Sequence, residues 1–269
     1  MTTRRPLLQA EALRLAYPSR RGAARAGLCD VTLDLAQGEC VALIGPSGAG
    51  KTSLARAILG LLPLEVGRVT LEGRDIAGVA RPMARETRAR IQMIFQDPLQ
   101  SFDARRSLGD QVADSLCNFG TPRPEAKAAA ADVFARLGLD PALLSRRPAA
   151  VSGGQLQRAA IARALIVAPD VLIADEALSA SDAALRSELT ALLQAEQARR
   201  GMALLLISHD MALVAEMAHR VVVIEDGRLV EEGPTAQVLE HPIQPVTRGL
   251  LAAARATMGD GCSAGGDQG

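Results

Sequence analysis

The chain has no tryptophan, one tyrosine (Tyr17), four phenylalanines and three histidines among 269 residues. So few aromatic faces argue against a base-stacking platform of the kind used by single-stranded nucleic-acid binders. It also has no excess of either charge: 30 Lys and Arg balance 30 Asp and Glu. A basic surface is not expected, and nucleic acid is not expected as a partner. Cysteine is scarce and scattered. Cys29, Cys40, Cys117 and Cys262 form no CxxC pair and no dense framework, which indicates neither a zinc site nor a disulfide scaffold. Unpaired thiols in a reducing cytosol are expected instead. No apolar run reaches the length of a bilayer span. The start, MTTRRPLLQAEAL, lacks the sustained apolar stretch of a signal peptide. Any membrane role is therefore expected to come through a partner. Hydrophobic residues are plentiful at 48%, enough to bury the core of one large domain.

Apolar runs and helical spacings alternate along the chain. Val41 to Ile44, Val69 to Leu71, Ile91 to Phe95, Val171 to Ala174 and Ala203 to Ile207 read as strands. Thr52 to Leu61, Asp182 to Arg200 and Met211 to Ala218 read as helices. Leu8 to Leu15 and Val31 to Leu35 alternate and predict an antiparallel edge or second sheet. Arg220 to Glu225 and Arg228 to Val230 flank Asp226-Gly227, a hairpin signal. The texture changes near residue 97. Ser107 to Phe119 and Glu125 to Leu137 read as helices around the breaker TPRP, and Pro141 and Pro148 punctuate the stretch beyond Leu137. The expected fold is α/β: a mostly parallel sheet whose strand–glycine-rich loop–helix run, GPSGAGKT after Val41 to Ile44, makes it a P-loop core, with an antiparallel β subdomain and a helical subdomain inserted at about 97–165. Residues 1–256 are expected to form this one domain, and 257–269, rich in Gly, Asp and Ser, a disordered tail.

Three stretches carry chemistry. Gly45, Pro46, Ser47, Gly48, Ala49, Gly50, Lys51 and Thr52, followed by Ser53, fit G-x-x-x-x-G-K-[ST] between a strand and a helix. Glycines there let successive backbone N–H groups curl around phosphate oxygens, and the helix N-terminus adds a favourable dipole. Lys51 can reach the β and γ phosphates, and the Thr52 hydroxyl can ligate Mg²⁺. VLIADE ends a strand in Asp175 and Glu176. Alternation would point the two carboxylates apart, one toward Mg²⁺ and one toward an attacking water. SGGQ, Ser152 to Gln155, opens a further helix. Ser152 can cap it, and its N–H groups offer a second anion seat, although an ordinary capped helix reads the same way.

With these residues the chain resembles the ATP-binding-cassette family, over nearly its whole length. The resemblance implies that ATP lies between the phosphate loop of one domain and the SGGQ signature (Ser152, Gly153, Gly154, Gln155) of a second, identical or paralogous, ATPase subunit. It implies a Q-loop role for Gln96, contacting Mg²⁺ and the water. It places a dimer-contacting D-loop at Ser179 to Asp182, a switch role at His209 and adenine stacking at Tyr17. Glu176 would act as the base, with His209 and Gln96 assisting. Asp175, Thr52 and Gln96 would hold Mg²⁺, and Asp182 would contribute to the nucleotide seat. Val151, Ala177 and Ser181 depart from the usual signature and D-loop residues.

FQDPLQSFDARRSL, DEALSASD and HPIQPVTRGLLAA are similar to segments of the peptide, opine and nickel importer group. A compact nickel-type or dipeptide-type subunit is therefore expected. It would work at the cytoplasmic face of the inner membrane with multispan permease subunits and, indirectly, a solute-binding protein. The alternative is a non-transport cassette such as a phosphonate-lyase component.

Overall fold

The computed structural model describes residues 6–17, 25–79, 83–178 and 183–259. Strands β1 (Pro6–Tyr17) and β2 (Arg25–Ala36) pair antiparallel and bury Leu8, Leu13, Leu15, Val31, Leu33 and Leu35. β3 (Cys40–Ile44) is buried throughout and leads through the phosphate loop into α1 (Lys51–Ile58). That helix stops before the expected Leu61 because Gly60 turns left-handed (φ 65°). Gly60 N–H then donates to the Ala57 carbonyl and Leu61 N–H to that of Arg56, the bond pair that closes a helix on glycine. β4 (Val66–Leu71) and β5 (Arg74–Gly78) complete a four-stranded antiparallel sheet in the order β2-β1-β4-β5.

The short α2 (Arg85–Arg90) buries none of its residues, so it has no apolar period and gives no sequence signal. After β6 (Ile91–Ile94) come α3 (Leu108–Cys117), α4 (Arg123–Arg136) and α5 (Gly153–Leu165), all between β6 and the next strand. β7 (Val171–Asp175), α6 (Ala183–Arg200), β8 (Ala203–Ile207) and α7 (Met211–Met217) come next. The hairpin of β9 (Arg220–Glu225) and β10 (Arg228–Pro234) precedes α8 (Thr235–Glu240) and α9 (Pro245–Gly259). Because α9 runs to Gly259, the start of the expected tail is helical, and 260–269 lie outside the described residues.

The main sheet has the order β10-β9-β3-β8-β7-β6, parallel except for β10 at its edge. Both faces are covered, which is why its inner strands read as continuous apolar runs. Within them the faces still alternate. Leu172, Ala174, Leu204 and Leu206 pack with the helices α3 to α6. Val171, Ile173, Leu205 and Ile207 pack with α1 and the antiparallel sheet. Register aligns the carboxyl ends of the central strands: Leu43 pairs with Ile207, Ile207 with Asp175, and Ala174 with Ile94. Segments far apart in sequence therefore leave the sheet along one edge, where open α/β sheets hold ligands.

Candidate nucleotide site

Four of the strands that end on this edge each deliver part of a cleft of about 590 Å³, lined by Ser47, Gly48, Gly50, Lys51, Thr52, Ser53, Gln96, Glu176 and His209. β3 delivers the phosphate loop, β6 Gln96, β7 Glu176 with Asp175 behind Thr52, and β8 His209. Gly48 and Gly50 take left-handed φ values of 78° and 111°, open to them because they lack Cβ. Among the described residues no side chain caps α1 at Gly50, so its first N–H groups are open to the cleft. Lys51 Nζ folds back and donates to the loop's own Gly45 and Pro46 carbonyls, at 2.7 and 2.8 Å. Burial lowers the pKa of its ammonium, against the pull of Glu176 and Asp175.

Asp175 and Glu176 do point apart, but not by strand alternation. β7 ends at Asp175, and Glu176 leaves it at a left-handed φ of 51°. That conformation costs a non-glycine residue about 1–2 kcal/mol and is the kind of strain found at functional sites. Asp175 is buried and accepts from the Thr52 hydroxyl at 3.0 Å. Burial raises its carboxyl pKa, and the Thr52 bond opposes this. Glu176 instead accepts from Gln96 Nε2 at 2.5 Å and lies 3.6 Å from His209 Nδ1. Gln96, Glu176 and His209 thus form one cluster across three strand ends.

Tyr17 ends β1 with its hydroxyl 2.9 Å from Ser53 Oγ, beside the start of α1. A second cleft of about 500 Å³ shares Thr52 and Gln96 with the first, takes Asp175 as a wall, and continues to Arg56, Phe95, Gln100 and Arg163. Phe95 and Leu99 are exposed beside it, whereas Phe102 of the same segment is core, buried under the Arg163 guanidinium at 4.5 Å.

The structure does not bring SGGQ to this cleft. Ser152 and Gly153 are exposed at the mouth of α5. Ser152 Oγ accepts from Gln155 N–H (3.2 Å), and Gln155 Oε1 accepts from Ser152 N–H (2.9 Å), a full capping box. Within one chain the Gln155 side chain is therefore committed to its helix. Asp182 and the rest of Ser179 to Asp182 lie outside the described residues. Of the departures, Ala177 is buried and its carbonyl takes the Gln157 amide, whereas Ser181 is not described. Sequence reasoning missed Asp210, whose carboxylate caps α7 through Ala212 and Leu213 N–H and meets Arg186 at 3.1 Å, bracing the loop that carries His209. An Asp directly before a helical run was the available signal.

The cysteines Cys29, Cys40 and Cys117 are free, and burial pushes the Cys40 thiol up to about 12, so it is inert. Cys262 is not described. Among the described residues no helix is long and apolar enough to cross a membrane.

Fold and cleft together define a P-loop nucleoside triphosphatase of α/β architecture. Residues 28–179 match the ABC transporter family, and the chain belongs to that family as an ATP-binding ATPase. Over 265 residues it is 39% identical to the nickel import ATP-binding protein NikE of Rhodospirillum rubrum, covering 95% of this chain and 96% of that one. It is 39% identical over 255 residues to the probable peptide ABC transporter ATP-binding protein y4tS of Sinorhizobium fredii, covering 92% and 72%. The glutathione import ATP-binding protein GsiA of Shigella boydii is 44% identical over 224 residues, where this chain spans 83% of itself but only 36% of that relative. By name, these relatives are ATP-binding proteins of nickel import, of a probable peptide ABC transporter and of glutathione import.

Proposed function

We propose that this chain is the ATPase subunit of a membrane importer for a small solute, a dipeptide or oligopeptide, or nickel free or chelated. The observation that carries the reading is the convergence of Lys51, Thr52, Gln96, Glu176 and His209 on one cleft. The chemistry such a cleft suits is in-line attack of water on the γ-phosphate, mostly by positioning and charge neutralisation. Lys51 is set to exchange its two loop carbonyls for phosphate oxygens. Glu176 is the group that takes the proton of the attacking water, with Gln96 and His209 fixing its carboxylate.

The donor set fits Mg²⁺. The Thr52 hydroxyl, the Asp175 carboxylate and the Gln96 amide are hard oxygen ligands, and one carboxylate with phosphates is the usual provision for that ion. A cation there would also relieve the buried charge of Asp175. When bound, it neutralises charge developing on the phosphates.

We infer that a second ATPase subunit, identical or paralogous, completes the site with its Ser152 to Gln155. The exposed SGGQ edge, set apart from the cleft of its own chain, supports this. Residues 1–256 would act as one cassette, with the helices of about 97–165 as its inserted arm. The exposed Phe95 and Leu99 beside the second cleft suit a cytoplasmic loop of a multispan permease. In this reading the chain works peripherally at the cytoplasmic face of the inner membrane, with a solute-binding protein as an indirect partner. The named relatives favour import over a phosphonate-lyase role. Similarity over nearly the whole nickel import protein favours a nickel-type subunit. The test is ATPase activity of the reconstituted complex across a panel of peptides and metal chelates. Stimulation by one class identifies the solute, and a complex that no solute stimulates, or that is recovered with soluble lyase subunits, refutes import.

A further inference from the structure

We propose that Gly227, in the turn between β9 and β10, is a positioning residue for the phosphate loop. The proposal rests on reading that loop as the nucleotide seat. Asp226 and Gly227 form a two-residue turn with φ 46° and 74°, remote in sequence from the loop. Yet Gly227 N–H donates to the Ala49 carbonyl at 2.8 Å, and the Gly227 carbonyl accepts from Cys29 N–H at 2.8 Å. One peptide unit on each side of this glycine therefore ties the loop to β2.

Three further close approaches tighten the tie. A Cβ on Gly50 would meet the Gly27 carbonyl at 2.9 Å, and a Cβ on Gly227 would meet the same oxygen at 2.9 Å. A Cβ on Gly45 would meet the Ile224 carbonyl, just before the turn, at 2.2 Å. Side chains pack beneath: Leu28, Ala49, Leu54 and Ile224 share one buried cluster. The loop's backbone is thus wedged between β2 and the hairpin. Its N–H groups can aim at phosphates only while that wedge keeps its shape.

Gly73 supplies a matched control. It occupies the same place in the β4–β5 turn, Glu72 and Gly73 having φ 52° and 77°. A Cβ there meets none of the described residues within 4 Å. Gly73→Ala and Gly227→Ala carry the same left-handed backbone penalty, but only the second presses on β2, which would push the turn and its Ala49 hydrogen bond out of place. Binding of ATP to the purified chain is measured by calorimetry, with melting temperature and circular dichroism alongside. Gly227→Ala and Gly227→Asn are expected to bind ATP about tenfold or more weakly, while Gly73→Ala stays within about twofold of the unmodified chain. Asn tolerates the left-handed region, so it serves if the alanine variant fails to fold. In the unmodified chain, nucleotide is expected to slow hydrogen exchange at the Gly227 and Cys29 amides. Normal ATP affinity in a folded Gly227 variant, or exchange at those amides indifferent to nucleotide, overturns the proposal. If the unmodified chain binds no ATP, the nucleotide reading falls first and this inference with it.

Discussion

Among the described residues, nothing in its own chain requires Gly153 to be a glycine. It is the first residue of α5, its φ lies outside the left-handed region, and a Cβ built on it meets none of the described residues within 4 Å. Its neighbour Gly154 has an internal reason, since a Cβ there would touch Leu185 at 3.0 Å. Replacing a helical glycine by alanine at an unstrained position stabilises a fold by about 0.4–1 kcal/mol, chiefly by restricting the unfolded chain. Gly153→Ala should therefore raise the stability of the isolated chain by about 0.5 kcal/mol in chemical denaturation. In the assembled complex the outcome reverses if a partner's nucleotide must approach this backbone. A methyl group that holds a phosphate off by about 1 Å can cost about a hundredfold in rate. The assay is phosphate release by the complex beside light scattering of the ATP-bound dimer. A more stable variant that hydrolyses poorly and dimerises weakly is the expected result. A Gly153→Ala complex with unchanged turnover would refute the sandwich, because the exposed helix mouth would then face nothing.

Three other outcomes are expected. Glu176→Gln keeps the size and the Gln96 contact but loses the base, so ATP binding should persist while kcat in the complex falls about 10²–10⁴-fold; near-normal steady-state hydrolysis would remove Glu176 from that role. Asp175→Asn relieves a buried carboxylate, so the nucleotide-free chain should be as stable or more stable by about 0.5–2 kcal/mol while hydrolysis collapses. Because burial raises this carboxyl in the fold, its unfavourable contribution grows as pH rises from 3.8 through the raised pKa; denaturation across that window should show the slope in the parent and not in the variant. Glu231 works with the opposite sign. Burial pushes its carboxyl up, but Ile243 N–H, the Thr247 hydroxyl and Gln244 N–H outweigh that and hold it below 4.5. Its stabilising effect is present above 4.5 and lost as pH falls through the lowered pKa, and Glu231→Ala should cost about 1–2 kcal/mol at neutral pH, read by thermal melts and exchange along α9.

Local patterns are legible where one kind of burial repeats along a segment. The parallel strands β3, β7 and β8 are covered on both faces, so their runs are unbroken. The alternation of β1 and β2 is equally plain because one face of their sheet packs on α1 and the other does not. Segments without that repetition stay hidden. β5 has only Ile76 and Ala77 buried, and α2 has nothing buried at all. HPIQPVTRGLLAA is legible only by resemblance, whereas its physical reason is the Glu231 carboxylate across the chain from β10, taking two backbone N–H groups and a hydroxyl at the start of α9. FQDPLQSFDARRSL reads as a surface segment, yet Phe102 within it turns inward because Arg163 closes over its ring.

The phosphate loop, the acidic strand end and the helix cap at Ser152 are all written in the linear chain, because each depends on residues within a few positions of one another. Which of them meet is a matter of three-dimensional assembly. Strand register set Gln96, Glu176 and His209 around Lys51, and left Ser152 at a separate, exposed edge. It also brought Gly227 under the loop, through carbonyl contacts that no side-chain pattern records. Short-range spacing fixes what a group can do, whereas register between distant strands fixes what it can reach.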